Sequence, residues 1–350
     1  MLFKKTLDQK LNRFAQGSTE FKDFIIADAK DADMAFGIMA PGPNRAGTCP
    51  HGYDSTQKCY KTLADYQAQI RAVIRQQIVD IVLLSASNLE RLGIEEGLFK
   101  NSPITPAARA NDTTDVWAVR GGTYPKAPSR HFRTATLDHI KYGKISDHHN
   151  RPPLGADLGL YSITFTNNID WDYAALEAFH EFRIEAEKKK FRYFLEVFNP
   201  NVDPGFDPRQ VGGFLNDSII RCLAGVTRAG RPVFLKIPYN GPGPLEELVS
   251  YDSNLVVGIL GGSAGTTLDA FQLIHDASKY GARVALFGRK INLSEHPLLF
   301  IELLRRVTDR EITPADAVRA YHDVLKKDNI RPLRPLDQDM QITETSMKYS

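Results

Sequence analysis

Eight short apolar runs, most of them separated by a segment of helical period, constrain the fold of this 350-residue chain more than any other feature. The predicted strands are Phe24–Ala29, Asp80–Leu84, Asp115–Val119, Leu160–Phe165, Tyr193–Phe198, Pro232–Ile237, Leu255–Leu260 and Arg283–Phe287. Strands that alternate with helices form parallel βα units. Because eight such units fit a closed barrel better than an open sheet, we predict an α/β protein with a single (β/α)8 TIM barrel.

Helical periodicity predicts the layer outside the barrel and extra helices at both ends of the chain. Helices are predicted at Leu63–Ile78, Trp171–Lys190, Gly212–Ala229, Thr267–Tyr280, Pro297–Val307 and Pro314–Lys326. The apolar residues of segment 2–14 fall at helical spacing and predict an N-terminal helix. Thr313 before Pro314 is typical of a helix N-cap and supports an extra C-terminal helix. We therefore expect a barrel domain over 1–330 and an irregular C-terminal tail over 331–350.

Two connections are unusually long, and both leave the carboxyl ends of strands. One covers 33–61, after the first predicted strand. The other covers 121–157, after the third predicted strand, with a short helix expected at Thr136–Tyr142. Because the active sites of α/β barrels lie at this face, loops of such length there are typical of lids over a site.

The charge pattern gives no indication of a polyanionic or lipid partner. The chain has 44 basic and 42 acidic residues, and no run of like charge exceeds a few residues. We therefore expect neither a nucleic-acid nor a membrane partner. No apolar stretch reaches the roughly 18 residues that span a bilayer, and the N-terminal segment lacks the apolar core of a signal peptide. Three cysteines, an odd and low number, predict a cytoplasmic protein without a disulfide framework.

The alternation of side chains along a strand predicts which residues face the interior of the barrel. In the sixth predicted strand, Lys236 alternates with apolar residues that suit the helix-facing side, so it should face inward. The same argument directs Glu196 of the fifth strand inward, together with Asp28 and Lys30 of the first. Three strands are thus expected to deliver charged side chains to the same end of the barrel.

A buried amine beside carboxylates has two interpretations. A charge inside a dry barrel is costly unless it is paired, so an ion pair between Lys236 and Glu196 could serve only to hold strands together. Alternatively, a deprotonated lysine attacks a carbonyl and forms an iminium, the electron sink for carbon–carbon cleavage, while a carboxylate moves protons. Lys236 would then be the nucleophile, with Lys30 as a rival. Glu196 would carry protons, and Asp28 would orient or deprotonate a substrate hydroxyl.

Glycines at the ends of the last two strands predict an anion site. Gly261, Gly262 and Ser263 follow the seventh strand, and Gly288 with Arg289 follows the eighth. In barrel enzymes these two loops often bind phosphate through backbone N–H groups, which glycines allow to approach closely. A hydroxyl and a guanidinium add donors. Plain tight turns are the alternative interpretation.

These motifs resemble those of the class I, Schiff-base aldolases of the DeoC/LacD/DhnA type, mainly over 190–292. The resemblance rests on Phe234-Leu235-Lys236-Ile237-Pro238, Gly261-Gly262-Ser263, Gly288-Arg289, Leu195-Glu196 and Asp28. It implies a Schiff base on Lys236 and reversible aldol cleavage of a phosphorylated or similarly anionic ketose or keto-acid, without metal or cofactor. It also implies that phosphate or sulfonate binds at the two glycine loops. The expected partner is this small-molecule anion, and a homo-oligomer is possible.

One departure from the family and several alternatives leave the substrate open. Tagatose-bisphosphate-type members carry a lysine on the fourth strand, whereas this strand ends in Thr164-Phe165-Thr166-Asn167. The same iminium chemistry supports a transaldolase or a thiolase. A metal-dependent lyase or isomerase would use loop residues, and a non-catalytic barrel would only bind a sugar phosphate. The candidate metal ligands are Cys49, His51, Cys59, His148 and His149.

Overall fold

Eight parallel strands close into a barrel, which confirms the predicted (β/α)8 architecture. The computed structural model describes residues 4–44, 59–146, 151–262 and 265–348. The strands are β1 (Ile25–Lys30), β2 (Ile81–Leu84), β3 (Thr105–Arg109), β4 (Asp112–Thr113), β5 (His131–Phe132), β6 (Leu158–Thr164), β7 (Arg192–Phe198), β8 (Leu235–Ile237), β9 (Val257–Leu260) and β10 (Val284–Phe287). Around the barrel the order is β1-β10-β9-β8-β7-β6-β3-β2, while β4 and β5 pair separately as an antiparallel ribbon.

Helices surround the barrel at the positions that periodicity predicted, with bounds that differ by a few residues. They are α1 (Thr6–Ala15), α2 (Ala32–Phe36), α3 (Leu63–Gln76), α4 (Ala86–Leu89), α5 (Leu137–Tyr142), α6 (Ile169–Lys188), α7 (Val211–Ala224), α8 (Pro242–Tyr251), α9 (Thr267–Lys279), α10 (Arg289–Leu293), α11 (Pro297–Thr308), α12 (Pro314–Lys327) and α13 (Leu336–Asp339). None of the described helices is long and apolar enough to cross a membrane.

Capping residues determine where several outer helices begin. Thr62 and Asp65 form a reciprocal capping box at α3, and Thr266 and Asp269 form another at α9. The predicted N-cap at Thr313 is confirmed, since its hydroxyl accepts a hydrogen bond from the third residue of α12. Each cap satisfies backbone donors that the first helical turn leaves free.

The interior of the barrel is apolar at its amino end. Its core consists of Leu7, Ile25, Ala27, Ile81, Leu83, Ala107, Leu158, Leu160, Phe194, Phe234, Val284 and Leu286. Leu7 belongs to α1, and Leu11 and Phe14 of the same helix pack against this core. Lys10 fixes the helix there, because its Nζ donates to the carbonyl of Phe24 at 2.9 Å. The predicted N-terminal helix therefore closes the end of the barrel away from the loops that follow the strands.

The third strand was predicted in the wrong place. It is Thr105–Arg109, whereas the predicted segment Asp115–Val119 begins with a short 3-10 turn and continues without regular structure. The true strand contains Pro106 and two alanines, so it lacks the bulky β-branched pattern by which strands are recognised. The connection after the third strand consequently begins at residue 110 and contains the β4–β5 ribbon as well as the predicted short helix, α5.

The C-terminal tail is anchored and partly helical, which corrects the expectation of an irregular segment. It contains α13, and its Met347 side chain is buried. Thr343 donates its backbone N–H to Asp269 Oδ1 at 2.8 Å, and Thr266 Oγ1 donates to the carbonyl of Gln341 at 2.6 Å. The tail therefore docks on the first turn of α9.

Substituting Asp269→Asn should loosen the tail and lower the free energy of unfolding by about 2 kcal/mol, because several hydrogen bonds to a buried charge are weakened. Burial raises the pKa of Asp269, but hydrogen bonds from Thr343, Thr266 and Glu344 outweigh this effect and hold the pKa below its ordinary value. The stabilisation is therefore present above the unfolded-state pKa and is lost as the pH falls through the lower folded-state value. Urea denaturation between pH 3 and 7 measures this, with the exposed Asp323→Asn as control. Equal stability of the two variants would contradict the anchoring role.

Candidate active site

Lys236 lies inside the barrel on β8, and its register with β7 places Glu196 beside it. Leu235 and Ile237, on either side of Lys236, pack in the outer core between strands and helices. Lys236 Nζ forms an ion pair with Glu196 Oε1, and both residues are buried. Lys236 and Glu196 therefore face the interior of the barrel, as the alternation of side chains predicted.

The second oxygen of Glu196 is also engaged. Its Oε2 accepts a hydrogen bond from Ser162 Oγ of β6 at 2.7 Å, and Arg109 Nη2 of β3 lies 3.7 Å away. Because both carboxylate oxygens have partners, the side chain is held in one orientation toward Lys236.

Arg109 was not predicted as a site residue, because its strand was misplaced. It is buried in the interior, where its Nε lies 2.6 Å from Asp31 Oδ2 and its Nη1 donates to Ser162 Oγ at 3.3 Å. Burial opposes its charge, yet the carboxylates of Asp31, Glu196 and Asp112 raise the pKa of Arg109 above its ordinary value. Arg109 is thus a fixed cation shared among three carboxylates.

Asp112 is the most distant of the three carboxylates around Arg109. Its Oδ1 lies 3.8 Å from Arg109 Nε and forms no hydrogen bond within the described residues. Burial raises the pKa of Asp112 to about 6, Arg109 lowers it, and the charges of Asp31 and Glu196 add to the increase. Asp112, with a pKa of about 6, therefore borders the Arg109 cluster.

Asp28 and Lys30 do not face the interior, which corrects the prediction for the first strand. Asp28 is in register with Val82 and Phe287, and both of these pack in the outer core. Asp28 Oδ2 lies 3.1 Å from Lys30 Nζ, which also bonds to Asn292 Oδ1. Burial raises the pKa of Asp28. Both residues are therefore on the opposite face of β1 from the Lys236 cluster.

The inward face of β1 carries small apolar residues instead. Ile25 and Ala27 join the interior core, with Ala29 packed against it. The charge that reaches the barrel mouth from this strand is Asp31, one residue beyond its end. Asp31 therefore occupies the place that the sequence analysis assigned to Asp28.

The predicted anion residues that the structure describes lie at the same mouth. Gly261, Gly262, Gly288 and Arg289 line one cavity with Lys236. Gly262 has a φ of +68°, which favours glycine, and a Cβ on Gly261 would overlap the Phe287 ring. Ser263 lies outside the described residues.

Arg289 is a cation without a carboxylate partner. Within the described part of the chain no acidic group lies within ion-pair distance of it, and its guanidinium stands over the Phe36 ring at 5.7 Å. Burial lowers the pKa of Arg289. Its neighbour Lys290 donates to the carbonyl of Gly265 at 2.8 Å, and burial lowers the pKa of Lys290 to about 8. Among the described residues, Arg289 therefore presents a cation to this end of the mouth that no carboxylate pairs with.

The cavity that joins these groups has a volume of about 220 Å³. Its polar lining consists of Asp31, Arg109, Asp115, Glu196, Lys236 and Arg289. Apolar walls come from residues that include Phe36, Val116, Phe198 and Leu260. A larger cavity, of about 510 Å³, lies against α9 and the turn before α12, away from Lys236. We regard the smaller one as the candidate site, because it contains the amine, the carboxylates and the unpaired cation together.

The loop residues proposed as metal ligands are only partly described. Cys49, His51, His148 and His149 lie outside the described residues, and Cys59 is disulfide-bonded. In the described ranges, no group of three His, Cys, Asp or Glu side chains is arranged to hold a metal ion.

Comparison with known proteins shows the fold. No protein-family model and no curated protein matches the chain. Among solved structures, an archaeal fructose 1,6-bisphosphate aldolase is 14% identical, with a TM-score of 0.58 over 87% of this chain and 99% of its own. A second archaeal fructose-1,6-bisphosphate aldolase structure has its catalytic lysine bound to the carbinolamine intermediate. It is also 14% identical, with a TM-score of 0.58 over 87% of this chain and 100% of its own. Cgl0159 from Corynebacterium glutamicum is 15% identical, with a TM-score of 0.55 over 87% of this chain and 98% of its own. The chain therefore shares the barrel fold of these archaeal fructose-bisphosphate aldolase structures.

Asp112→Asn should remove a pH-dependent loss of stability. Because the folded-state pKa of Asp112 is about 6 and its ordinary value is 3.8, the unfolded chain releases this proton first as the pH rises. The free energy of unfolding of the wild-type protein therefore falls by about 3 kcal/mol between pH 4 and pH 6, whereas that of the asparagine variant does not. Urea denaturation of both proteins across this range measures the difference. A difference that stays constant from pH 4 to pH 7 would show that Asp112 titrates normally.

Proposed function

We propose that this protein is a class I aldolase, a carbon–carbon lyase that cleaves or forms a phosphorylated or similarly anionic ketose or keto-acid. The observation that carries the proposal is the contact between Lys236 Nζ and Glu196, inside a cavity that also presents the guanidinium of Arg289, which has no carboxylate partner among the described residues. A purely structural ion pair would need neither the cavity nor the free cation.

The chemistry begins with the amine. Lys236 Nζ attacks the substrate carbonyl carbon, and Glu196 carries a proton to the carbinolamine oxygen, which leaves as water. The resulting iminium accepts the electron pair of the breaking carbon–carbon bond. A base removes the proton of the hydroxyl on the departing carbon, which leaves as an aldehyde. Protonation of the enamine and hydrolysis of the iminium then release the ketone and restore the amine.

Asp31 is the base that we assign to the substrate hydroxyl, in place of Asp28. It lines the cavity, and its Oδ2 is held by Arg109 at 2.6 Å. Asp28 faces the outer layer and is absent from the lining. Glu196 is the better carrier for protons at the carbinolamine, because it contacts the amine directly.

The anionic group of the substrate would lie against Gly261, Gly262, Gly288 and Arg289. The backbone N–H groups of Gly262 and Gly288 and a guanidinium are suited to three equivalent oxygens. The N–H of Gly261 already donates to the carbonyl of Leu286 at 2.7 Å, so Gly261 contributes close backbone approach rather than a donor. Arg289 has no competing carboxylate among the described residues. Ser263 remains a predicted donor in the same loop. The similarity of the fold to a structure described as a Schiff-base-forming fructose-1,6-bisphosphate aldolase supports the proposed aldolase class.

Borohydride reduction in the presence of a ketose phosphate should add the mass of the reduced substrate at Lys236, with EDTA present throughout. Lys236→Ala should form no adduct and lose at least about 10³-fold in kcat, since the covalent step is removed. Lys188→Ala, on the surface of α6, is the matched control. Peptide mapping by mass spectrometry identifies the site. An unchanged kcat in Lys236→Ala would rule out the mechanism.

Arg289→Ala should raise KM for a phosphorylated substrate about 10- to 100-fold, because one charge-assisted contact to the anion is lost. The value of kcat should change much less, since the phosphate is remote from the reacting bond. Steady-state kinetics on purified protein measures both, and Arg209→Ala, whose side chain is 90% exposed, is the control. An unchanged KM would place the anion elsewhere.

A further inference from the structure

The two halves of the barrel mouth carry opposite charge. In the closed order of strands, β9 and β10 stand directly across from β3 and β6. The anion residues Gly261, Gly262, Gly288 and Arg289 follow β9 and β10. The residues that face them across the mouth are therefore those of β3, β6 and the segment after β3. A substrate held at its anionic end must extend toward that half.

Asp115 is the group that stands there. It lies in the connection after β3, lines the cavity and is tied to β6, because Thr164 Oγ1 donates to its Oδ2 at 3.0 Å. Ser129 Oγ donates to Oδ1 at 2.7 Å. A carboxylate offers about four acceptor positions, so each oxygen keeps one for a substrate hydroxyl.

The cation of this half is already neutralised. Arg109 of β3 lies 2.6 Å from Asp31 and 3.7 Å from Glu196. The carboxylates of Glu196 and Asp115 line the cavity on this side together with Arg109, so the half opposite Arg289 carries a net negative charge. Among the described residues no unpaired cation faces this half.

We infer that the substrate carries a single anionic group, bound at Arg289, and that its other end is an uncharged hydroxylated chain that donates hydrogen bonds to Asp115. This inference rests on the proposed aldolase function and specifies its substrate: the departing aldehyde is a neutral hydroxyaldehyde. A second phosphate would stand beside Asp115, where no unpaired cation lies among the described residues, and like charges brought together there disfavour binding.

Aldol synthesis from dihydroxyacetone phosphate tests the inference. The aldehyde is either D-glyceraldehyde or D-glyceraldehyde 3-phosphate, and kcat/KM is measured for each. The wild-type protein should prefer the neutral aldehyde by at least about tenfold, because the phosphorylated one places its charge against Asp115. In Asp115→Asn the preference should fall at least about fivefold, while Asp207→Asn, on the surface, keeps the wild-type ratio.

Borohydride trapping with dihydroxyacetone phosphate alone distinguishes failure of this inference from failure of the aldolase proposal. An adduct at Lys236 together with a preference for the phosphorylated aldehyde would overturn the inference and leave the aldolase proposal standing. Absence of the adduct would overturn both. An unchanged preference in folded Asp115→Asn would remove Asp115 from the recognition of the aldehyde. If this variant does not fold, the ratio measured on the wild-type protein decides alone.

Discussion

The pairing register between β7 and β8 is the constraint on which the site depends. It places Lys236 level with Glu196, on a face that at this height contains polar groups rather than core. A buried ion pair by itself seldom stabilises a protein, because both charges lose their water. Here the second oxygen of Glu196 is satisfied by Ser162, the residue in register with it on β6. The strands therefore hold the amine and the carboxylate together before any substrate arrives, which is the pre-organisation that covalent catalysis needs.

Arg109 connects Glu196 to the carboxylates of Asp31 and Asp112, which come from other parts of the barrel. Its guanidinium is 2.6 Å from Asp31 but 3.8 Å from Asp112, so the nearer carboxylate receives most of the stabilisation. Burial raises the pKa of Asp112 to about 6, and the more distant Arg109 offsets only part of this rise, while Asp31 is held at the cavity wall. Among the described residues, the same arrangement leaves the half of the mouth around Asp115 without an unpaired cation. The proposed preference for a neutral aldehyde depends on this sharing of one arginine.

Sequence patterns predicted the barrel and the orientation of Lys236 because the outward residues of β8 are all large and apolar. The same reasoning failed at β1, where Ile25, Ala27 and Ala29 are as suitable for a narrow interior as for the outer layer. The inward and outward residues of β1 were therefore exchanged in the prediction, and Asp28 was assigned to the barrel mouth instead of Asp31. Strand β3 escaped detection because alanines and a proline carry almost no β signal. Arg109 and Asp115 could be found only once that strand was in its true position.

The anion end depends on packing that reaches beyond the barrel. Gly261 has no room for a side chain beside Phe287, so the loop after β9 is fixed by contact with β10. The helix that follows this loop, α9, begins at a capping box in which Asp269 also accepts hydrogen bonds from Thr343 of the tail. Glu344 and Met347 of the tail line one small cavity together with Gly261 and Gly262. The C-terminal tail therefore restrains the backbone N–H groups that the proposed phosphate site uses, and the rigidity of that site is a property of the docked tail as much as of the strands.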